Sequence, residues 1–532
     1  MGFYAYNRSQ LSLFRHSMDE RLPEGDKCRF VVHLVSRLDL ERLQSRYSPQ
    51  GNDAFPPEIM LATWFYAYSM GIASSRKLEE LCRYDVRFIY VSADLKPDHT
   101  TLNRFRKHHL DLLADYFLQL LRMAREDGIS TFDVIAIDGT KIQAACSKKQ
   151  SRSARQLQRE LDRVRDSIRT FLEFGEDDDD APPNEGLQRL KQRQRQLEAL
   201  SKTLDDNASE LKAEYRRGHK INRVDPDARR MAILDAPGYN GQVAVESTTH
   251  LIVANTVVRD SNDQHQFKVM HKACESTLGP SPDRQYTSDA GFFNLDQLEY
   301  VEENEVDAII VDPAPHNRSI QQQPTPPEEI LAEERPLTRS DFVFEALEDR
   351  YICPDQRPLP FLRTKGPERL YQSLCCDGCR LIHLCLAKSN RSGKRQIIRH
   401  RKEYLAEEMA RRLQTPHARV RRLQRATSVE PVIGNLKANL GFRRFRLHGL
   451  HQVKGEFNLI CFAHNINVLF KHWKPQRAVV AARKAVDSAQ IALRNGLIYA
   501  LSGLLKANRT ISVFFQRVFD GRAFLRLDHE IA

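Results

Sequence analysis

Apolar residues recur at helical spacing near the start of the chain and again towards its end. Over Pro57–His109 this spacing is interrupted at Gly71, so several short helices are predicted. Asp98 can cap the last of them, because its carboxylate accepts backbone N–H groups of a first helical turn. The spacing over Tyr404–Phe470 is helical as well. We therefore expect an all-helical amino-terminal domain over residues 1–125, and further helices late in the chain.

Strand patterns lie between these two helical regions. Phe132–Ile137 is rich in Val and Ile and predicts a buried strand that ends at Asp138, followed at once by a second strand over Thr140–Cys146. Later strands are predicted at Gln242–Ser247, Leu251–Val258, Gln285–Thr287 and Ala308–Val311. Strands in a row that give way to alternating strands and helices indicate a mixed sheet with helices on its faces. The fold class is therefore α/β in the core and α+β overall.

Two insertions interrupt the predicted sheet. Residues 151–219 are dense in charged residues, with leucines at helical spacing on both sides of a Gly- and Pro-containing break, so a charged helical hairpin is predicted. The acidic run Glu176–Asp180 argues against a tip that lies along DNA, and the stem remains open between a solvated insertion and a clamp or dimer arm. The second insertion, residues 313–400, contains a cluster of cysteines. The remaining segments are assigned to the core, at 126–150, 220–312 and 401–475, and to a helical carboxyl-terminal extension, at 476–532.

The charge balance favours a polyanionic partner. The 532 residues carry a formal net charge of +11, and each Lys or Arg placed against a phosphate releases a condensed counterion. A solvated basic helix face is the plain alternative. The basic residues that we regard as candidate DNA contacts are Arg104, Arg106 and Lys107 in the amino-terminal domain, and Lys437, Arg443, Arg444 and Arg446 late in the core.

The chain carries no sign of a membrane partner in its sequence. The amino terminus lacks a basic region followed by an apolar run, so no export signal is visible. The most apolar late stretches, Phe457–Phe470 and Leu497–Leu505, are shorter or more often interrupted than the roughly 20 apolar residues that span a bilayer. We therefore expect a soluble, cytoplasmic protein.

Three acidic residues stand out by their settings. Asp138 and Asp289 are expected where strands end, and Glu430 where a helix begins. Each has an ordinary structural explanation: Asp138-Gly139 is a common hairpin turn, Asp289 can precede a helix as a surface acid, and Thr427 with Glu430 forms a capping box. If folding brings the three carboxylates together, they form a site for divalent cations.

The capping box does not explain the residues that follow Glu430. Val429, Ile433, Leu436 and Leu440 form one apolar stripe of the predicted helix. Glu430, Gly434 and Lys437 line up on an adjacent face, at offsets that a helix places together, and Arg425 precedes them. One face is therefore expected to pack, while the other presents a carboxylate and an ammonium group within a basic surround.

These motifs resemble those of a known family. The sequence reads Ile-Asp-Gly-Thr-Lys at 137–141, Gly-Tyr-Asn-Gly-Gln at 238–242, Ser-Asp-Ala-Gly-Phe at 288–292 and Val-Glu-Pro-Val-Ile-Gly-Asn-Leu-Lys at 429–437. In this order, and with the helical amino-terminal segment, they resemble the DDE transposases of bacterial insertion sequences.

The resemblance implies an RNase H-like fold and a set of catalytic residues. Asp138, Asp289 and Glu430 would be its metal-binding triad, for two Mg²⁺ or Mn²⁺ ions, and Lys437 its DNA-contacting lysine. Arg425 lies one position from the arginine of the family's helix signature, and with Lys437 it can offset charge on a phosphate.

The resemblance also implies partners and activity. The partners would be double-stranded DNA, at the terminal inverted repeats and at the target, and a second subunit when two ends are paired. Such a protein is cytoplasmic and associates with the nucleoid when it binds DNA. The leading function is metal-dependent strand cleavage and strand transfer. A site-specific nuclease of the same fold is one alternative, and a catalytically inactive DNA-binding derivative is the other.

The clustered cysteines suggest a separate metal. Cys353, Cys376, Cys379 and Cys385 can make a tetrahedral Zn²⁺ site, with Cys375 as the alternative second ligand. A chance cluster of small apolar residues is the plain explanation.

Overall fold

The structure is a computed structural model that describes residues 18–47, 54–174, 185–209, 220–386 and 393–473. The predicted acidic tip of the charged hairpin, Glu176–Asp180, lies outside the described residues. The predicted carboxyl-terminal extension over 476–532 lies outside them too. No helix in the described part of the chain is both long enough and apolar enough to cross a membrane.

The amino-terminal region is helical, as predicted. Helix α4, Pro57–Ser69, is buried on nearly every side, and Phe65 packs on Phe462 with ring centroids 4.2 Å apart. Asp98 caps its helix as expected, because its Oδ1 accepts the N–H groups of Thr100 and Thr101. The remaining helices of this region are α1 at Met18–Arg21, α2 at Lys27–Ser36, α3 at Glu41–Gln44, α5 at Ser75–Tyr84, α6 at Val86–Val91, α7 at His99–His108 and α8 at Leu113–Glu126, with a 3-10 turn at Leu110–Leu112.

A mixed six-stranded sheet forms the centre of the fold. Its strands are β1 at Val134–Gln143, β4 at Arg229–Met231, β5 at Ala236–Glu246, β6 at Ile252–Val258, β7 at Gln285–Ser288 and β8 at Ala308–Ile310. Strand β1 runs antiparallel to β5 and parallel to β7, and β8 continues the parallel side. Helix α11, Phe267–Leu278, connects β6 to β7, and helix α12, Leu295–Glu303, connects β7 to β8. The mixed sheet with flanking helices confirms the predicted fold class, and it is consistent with an RNase H-like fold.

One strand replaces the two that were expected around Asp138. Strand β1 continues through Asp138-Gly139, and Asp138 pairs with Val243 of β5. The interpretation of Asp138-Gly139 as a hairpin turn is therefore wrong. The reason is that β5 supplies a continuous partner, since its register with β1 holds from Ile135 to Gln143.

The first insertion is the predicted helical hairpin. Helices α9, Ala154–Phe174, and α10, Glu185–Ser209, stand on a small two-stranded sheet of β2, Ser151–Ser153, and β3, Lys220–Asn222. Its apolar core is small and consists of Leu157, Leu161, Leu197, Leu204 and Ile221. The helical spacing of the leucines in the sequence thus reflected a real packed seam.

The second insertion has a sheet and a core of its own. Five antiparallel strands follow one another in chain order, namely β9 at Val343–Glu345, β10 at Arg350–Ile352, β11 at Pro358–Lys365, β12 at Glu368–Gln372 and β13 at Gln396–His400. Two short helices, α13 at Pro327–Glu333 and α14 at Ile382–Cys385, accompany it. Phe342, Tyr351 and Tyr371 are fully buried in its core.

Three helices complete the core. They are α15 at Glu403–Gln414, α16 at Pro416–Gly434 and α17 at Leu450–His472, with a π-helical turn at Asn435–Asn439. The capping box is wrong, because α16 begins at Pro416, where the Thr415 hydroxyl accepts the N–H of Ala418. Glu430 therefore lies inside a continuous helix, next to Pro431.

Candidate active site

Asp138 lies on β1, an inner strand of the sheet, where α16 packs on it. Its side chain is 16% exposed, and its Oδ1 accepts the backbone N–H of Gly139 at 2.7 Å. Burial raises the pKa of Asp138 from its ordinary value of 3.8 to about 6, and the negative charges of Asp289 and Asp263 add to the shift. Arg425 acts in the opposite direction. Asp138 thus lies near two other carboxylates and one guanidinium.

Asp289 lies next to Asp138, after the end of the neighbouring strand β7. Strands β1 and β7 are parallel and pair Ile137 with Ser288, so Asp138 and Asp289 follow at adjacent positions. Asp289 begins a 3-10 turn, Ala290–Phe292, and its Oδ1 accepts the N–H of Gly291 at 3.0 Å. The strand end that was expected at Asp289 is therefore present. The parallel pairing thus brings Asp138, inside β1, next to Asp289, at the end of β7.

Glu430 approaches from α16 and is the most exposed of the three acids. Its side chain is 64% exposed, and Oε1 lies 3.7 Å from Nη2 of Arg425. The other end of the same guanidinium, Nη1, lies 3.2 Å from Oδ2 of Asp138. The helix is held on the sheet by Val429, which is fully buried. Arg425 therefore connects the buried and the exposed carboxylate.

The three acids supply the oxygen donors that a divalent cation such as Mg²⁺ prefers. Asp138 and Asp289 repel each other electrostatically. A cation bound between them would relieve this repulsion. Within the described residues, no group of three or more His, Cys, Asp or Glu side chains lies close enough together to hold a metal ion as placed. Glu430 is the member that points into solvent, and its exposed side chain has room to turn. The donor set therefore fits a hard divalent cation, with Arg425 as the cation that neutralises it here.

Lys437 lies near Asp138, on the π-helical turn that follows α16. Burial lowers the pKa of Lys437, and the positive charges of Arg443 and Lys141 lower it further, whereas Asp138 raises it. The sequence did not predict the π turn, which changes the direction of the side chains after Gly434. Such turns are often found at functional sites.

The three late arginines follow this turn and are exposed. Their loop is fixed to the end of β1, because the N–H of Phe445 donates to the carbonyl of Gln143 at 2.8 Å. Arg444 donates from Nε to the carbonyl of Ala144, and Arg443 donates to the carbonyl of Lys437. The backbone N–H of Arg446 donates to the buried carboxylate of Glu456, which leaves its side chain at the surface.

The basic residues of α7 differ from one another. Arg104 and Lys107 are exposed, as a surface that contacts DNA requires. Arg106 is buried, and its guanidinium donates to the Tyr68 hydroxyl and to the Ala73 carbonyl. The assignment of Arg106 to DNA binding is therefore corrected, because its donors are used inside the domain.

Sequence reasoning missed a further acidic residue near Asp138, namely Asp263. Asp263, in the loop after β6, accepts hydrogen bonds from Lys141 of β1 and from Asn240 and Gln242 of β5. Lys141 and the two amides belong to motifs that the sequence made visible. Asp263 lies in a loop without periodicity, so only the folded chain reveals it.

The clustered cysteines lie near one another in the second insertion, but in the described part of the chain no three of them come close enough together to hold a metal ion. Cys353, Cys379 and Cys385 pack against the same apolar core. Burial raises the pKa of the Cys385 thiol to about 11, and the nearby Cys376, Cys379 and Cys353 raise it further. Cys375 is exposed, and its thiol contacts Asp377 instead. The arrangement favours Cys376 over Cys375 as the fourth member of the group.

Two transposase families match parts of the chain. Residues 352–470 match the family described as transposase DDE domain, and residues 16–108 match the one described as transposase domain (DUF772). The first match includes Glu430 and Lys437, and the second includes α7. No curated protein matches the chain. DDE transposases in general use divalent metal ions and bind DNA. The two matches support a transposase function, and they confirm that the chain is related to the DDE transposases of insertion-sequence type.

Proposed function

We propose that the protein binds the ends of a mobile DNA element and catalyses metal-dependent strand cleavage and strand transfer. The observation that carries this proposal is the approach of Asp138 and Glu430 to the guanidinium of Arg425, with Asp289 beside Asp138 on the neighbouring strand. Two divalent ions, when bound there, would activate the attacking oxygen and stabilise the leaving oxygen of a phosphoryl transfer. Mg²⁺ is the ion that fits these oxygen donors, with Mn²⁺ as its substitute.

The side chains have separate roles in this proposal. Asp138 and Asp289 would hold the cations from the sheet, and Glu430 would complete the site from α16 by turning its exposed side chain inward. Arg425 and Lys437 offset the negative charge that develops on the phosphate and keep the strand in line. The exposed Arg443, Arg444 and Arg446 extend this basic surface along the DNA backbone.

The amino-terminal helices would supply further DNA contacts. The exposed Arg104 and Lys107 lie on one helix, α7, and do not share the internal role that Arg106 has. We assign DNA binding and oligomerisation to residues 1–125, catalysis to the three core segments, and the pairing of two ends to a homodimer. The protein would act in the cytoplasm, on the nucleoid.

The test is a cleavage assay on supercoiled plasmid that carries the DNA found on both sides of the coding region. We expect Mg²⁺-dependent nicking at the element ends and joining of the 3′-ends to a target. Asp138→Asn, Asp289→Asn and Glu430→Gln should each abolish nicking while DNA binding in EDTA persists. Asp283→Asn is the matched control, because Asp283 is an exposed acid in the turn before β7, away from Asp289, which follows that strand.

Other outcomes would support the rival functions. Cleavage without any joined product would indicate a site-specific nuclease. Binding that persists in EDTA, with no nicking when Mg²⁺ or Mn²⁺ is supplied to the wild-type protein, would indicate an inactive derivative. Full nicking by any one of the three acid variants would remove that residue from the catalytic site.

We also propose a structural Zn²⁺ held by Cys353, Cys376, Cys379 and Cys385. Support comes from the packing of Cys353, Cys379 and Cys385 on one small apolar core and from the electrostatic effect of Cys376 on Cys385, and thiolates are the ligands that Zn²⁺ selects for structural sites. An insertion of this size, with a small core, gains stability from such a metal.

A further inference from the structure

Asp263 is an acid close to the candidate active site that neither the motifs nor the matched families assign. Its side chain is only 18% exposed, although it carries a charge. Charged groups are buried at this level when they are paired and hydrogen-bonded. The pairing partners of Asp263 therefore indicate what holds it there.

Three donors from two strands converge on this carboxylate. Lys141 Nζ lies 3.1 Å from Oδ1 and 3.0 Å from Oδ2. Asn240 and Gln242 donate from their amide groups to Oδ1, at 2.7 and 2.5 Å. In the register of β1 with β5, Lys141 pairs with Asn240, and Gly139 pairs with Gln242, so the donors share one face of the sheet.

The absence of a side chain at Gly139 makes this approach feasible, and Gly291 lies in contact distance of the same acid. A Cβ atom at Gly139 would collide with Asp263 Oδ1 and lie 2.7 Å from Gln242 Nε2. A Cβ atom at Gly291 would be 3.7 Å from Asp263 Cβ and 3.1 Å from Oδ1 of Asp289. Gly139 directly follows Asp138, and Gly291 follows Asp289 by two residues. Asp263 is thus packed against the backbone beside both candidate metal ligands.

We infer that Asp263 is a positioning residue, which ties the loop after β6 to β1 and β5 and thereby sets the separation of Asp138 and Asp289. With both Oδ1 and Oδ2 already occupied by protein donors, Asp263 acts through its neighbours rather than as a ligand. Its carboxylate also keeps the ammonium of Lys141, which is 11% exposed, paired on the opposite face from Asp138. Outer residues of this kind orient the groups that bind a metal.

This inference rests on the metal-dependent function proposed above, so the test measures metal binding directly. Mn²⁺ would be titrated into the full-length protein without DNA and followed by electron paramagnetic resonance. We expect Asp263→Asn, which keeps the shape and removes the charge, to weaken Mn²⁺ binding by about tenfold, the lower end of the range for outer residues of metal sites. The half-saturating Mg²⁺ concentration for plasmid nicking should rise by a similar factor.

Two further variants make the result specific. Asp260→Asn is the matched control, because Asp260 lies in the same loop and its carboxylate accepts a hydrogen bond from Gln266, away from the two strands. It should bind Mn²⁺ like the wild type. Asp263→Glu restores the charge and should recover part of the affinity. A merely structural role would lower the melting temperature of Asp263→Asn and leave its half-saturating metal concentrations unchanged.

The outcomes separate this inference from the proposed function. If the wild-type protein binds Mn²⁺ and nicks DNA but Asp263→Asn does so with the same metal dependence, the positioning role is overturned. If Asp263→Asn does not fold, Gln242→Ala, which removes one donor of three, takes its place, and unchanged Mn²⁺ affinity in that variant overturns the role. A wild-type protein that neither binds Mn²⁺ nor nicks DNA contradicts the proposed function itself.

Discussion

Arg425 donates a hydrogen bond to Asp138, with Nη1 3.2 Å from Oδ2, across a sequence separation of 287 residues. The guanidinium is only 15% exposed, so water does little to screen this pair. Its second nitrogen faces Glu430. A fixed cation between a buried and an exposed acid is an arrangement that can offset charge on a bound phosphate.

Replacement of Arg425 should therefore slow chemistry more than binding. We expect Arg425→Gln to reduce the rate of plasmid nicking by about 100- to 1,000-fold, with DNA affinity in EDTA changed little, since one preorganised donor at a developing charge contributes on this scale. Single-turnover nicking and a mobility-shift titration measure the two quantities. Arg422→Gln is the control, because Arg422 lies on the same helix and is exposed. An equal loss of nicking rate in both variants would mean that Arg425 contributes only its positive charge and not a specific contact.

Ionised Asp138 should destabilise the fold of the metal-free protein. Its pKa is raised to about 6, so the folded protein holds this proton more tightly than the unfolded chain does. Ionisation of Asp138 therefore destabilises the fold as the pH rises from about 4 to 6, and the full cost is present above pH 6. Since one unit of pKa corresponds to about 1.4 kcal/mol, Asp138→Asn should raise the free energy of unfolding by about 1–3 kcal/mol at pH 8 in EDTA.

Denaturant unfolding at two pH values checks this sign. The stabilisation by Asp138→Asn should be present at pH 8 and largely gone near pH 4, where the wild-type carboxyl is protonated in the folded state and about half protonated in the unfolded chain. Asp283→Asn, at an exposed acid, should show no such difference. A variant less stable than the wild type at pH 8 would mean that the contact with Arg425 outweighs the burial of the charge.

The general fold could be read from the sequence because its signals are local. Valine- and isoleucine-rich runs marked the strands, and leucines at helical spacing marked the hairpin whose Leu157 and Leu197 are buried. The error at Asp138-Gly139 has a different origin. An Asp-Gly pair favours a turn locally, but the pairing with β5, about a hundred residues later, overrides that preference. No local pattern reports such a pairing.

Of the two errors on α7 and α16, the one on α7 could have been avoided from the sequence. Leu102, Phe105 and Arg106 are spaced so that all three share one face of α7, and the structure buries all three. Helical geometry therefore already indicated a buried Arg106. The start of α16 is different, since Thr415-Pro416 and Thr427…Glu430 are both acceptable helix starts, and only the folded chain distinguishes them. Asp263 had no signal at all, because its role depends on contacts with two distant strands.

The cysteine group should bind one zinc ion per chain. Elemental analysis of purified protein measures the content, and Cys379→Ser should lower it sharply and destabilise the insertion, because a structural Zn²⁺ site needs its full set of thiolates. Cys375→Ser should keep its zinc, since this thiol is exposed and contacts Asp377. If Cys375→Ser loses its zinc and Cys376→Ser retains it, Cys375 rather than Cys376 is the fourth ligand. Folded wild-type protein without zinc would remove the site.

The basic residues of α7 should separate into residues that bind DNA and a structural residue. Arg104→Ala and Lys107→Ala should each weaken DNA binding and lower the salt dependence of the binding constant by about one counterion, because each variant leaves one phosphate without its cation. Neither change should alter the melting temperature, because both side chains are exposed. A mobility-shift titration at several salt concentrations measures this slope.

Arg106 should behave in the opposite way. Its guanidinium donates to Tyr68, Ala73 and Asn103 and stacks over the ring of Trp64, 4.6 Å from the centroid. Arg106→Met removes these donors and leaves buried acceptors unpaired, so we expect a decrease of about 2–4 kcal/mol in the free energy of unfolding. The salt dependence of DNA binding by the protein that remains folded should stay at the wild-type value. A stable Arg106→Met protein with a reduced salt slope would show that Arg106 leaves the interior to contact phosphate, and it would restore the original assignment.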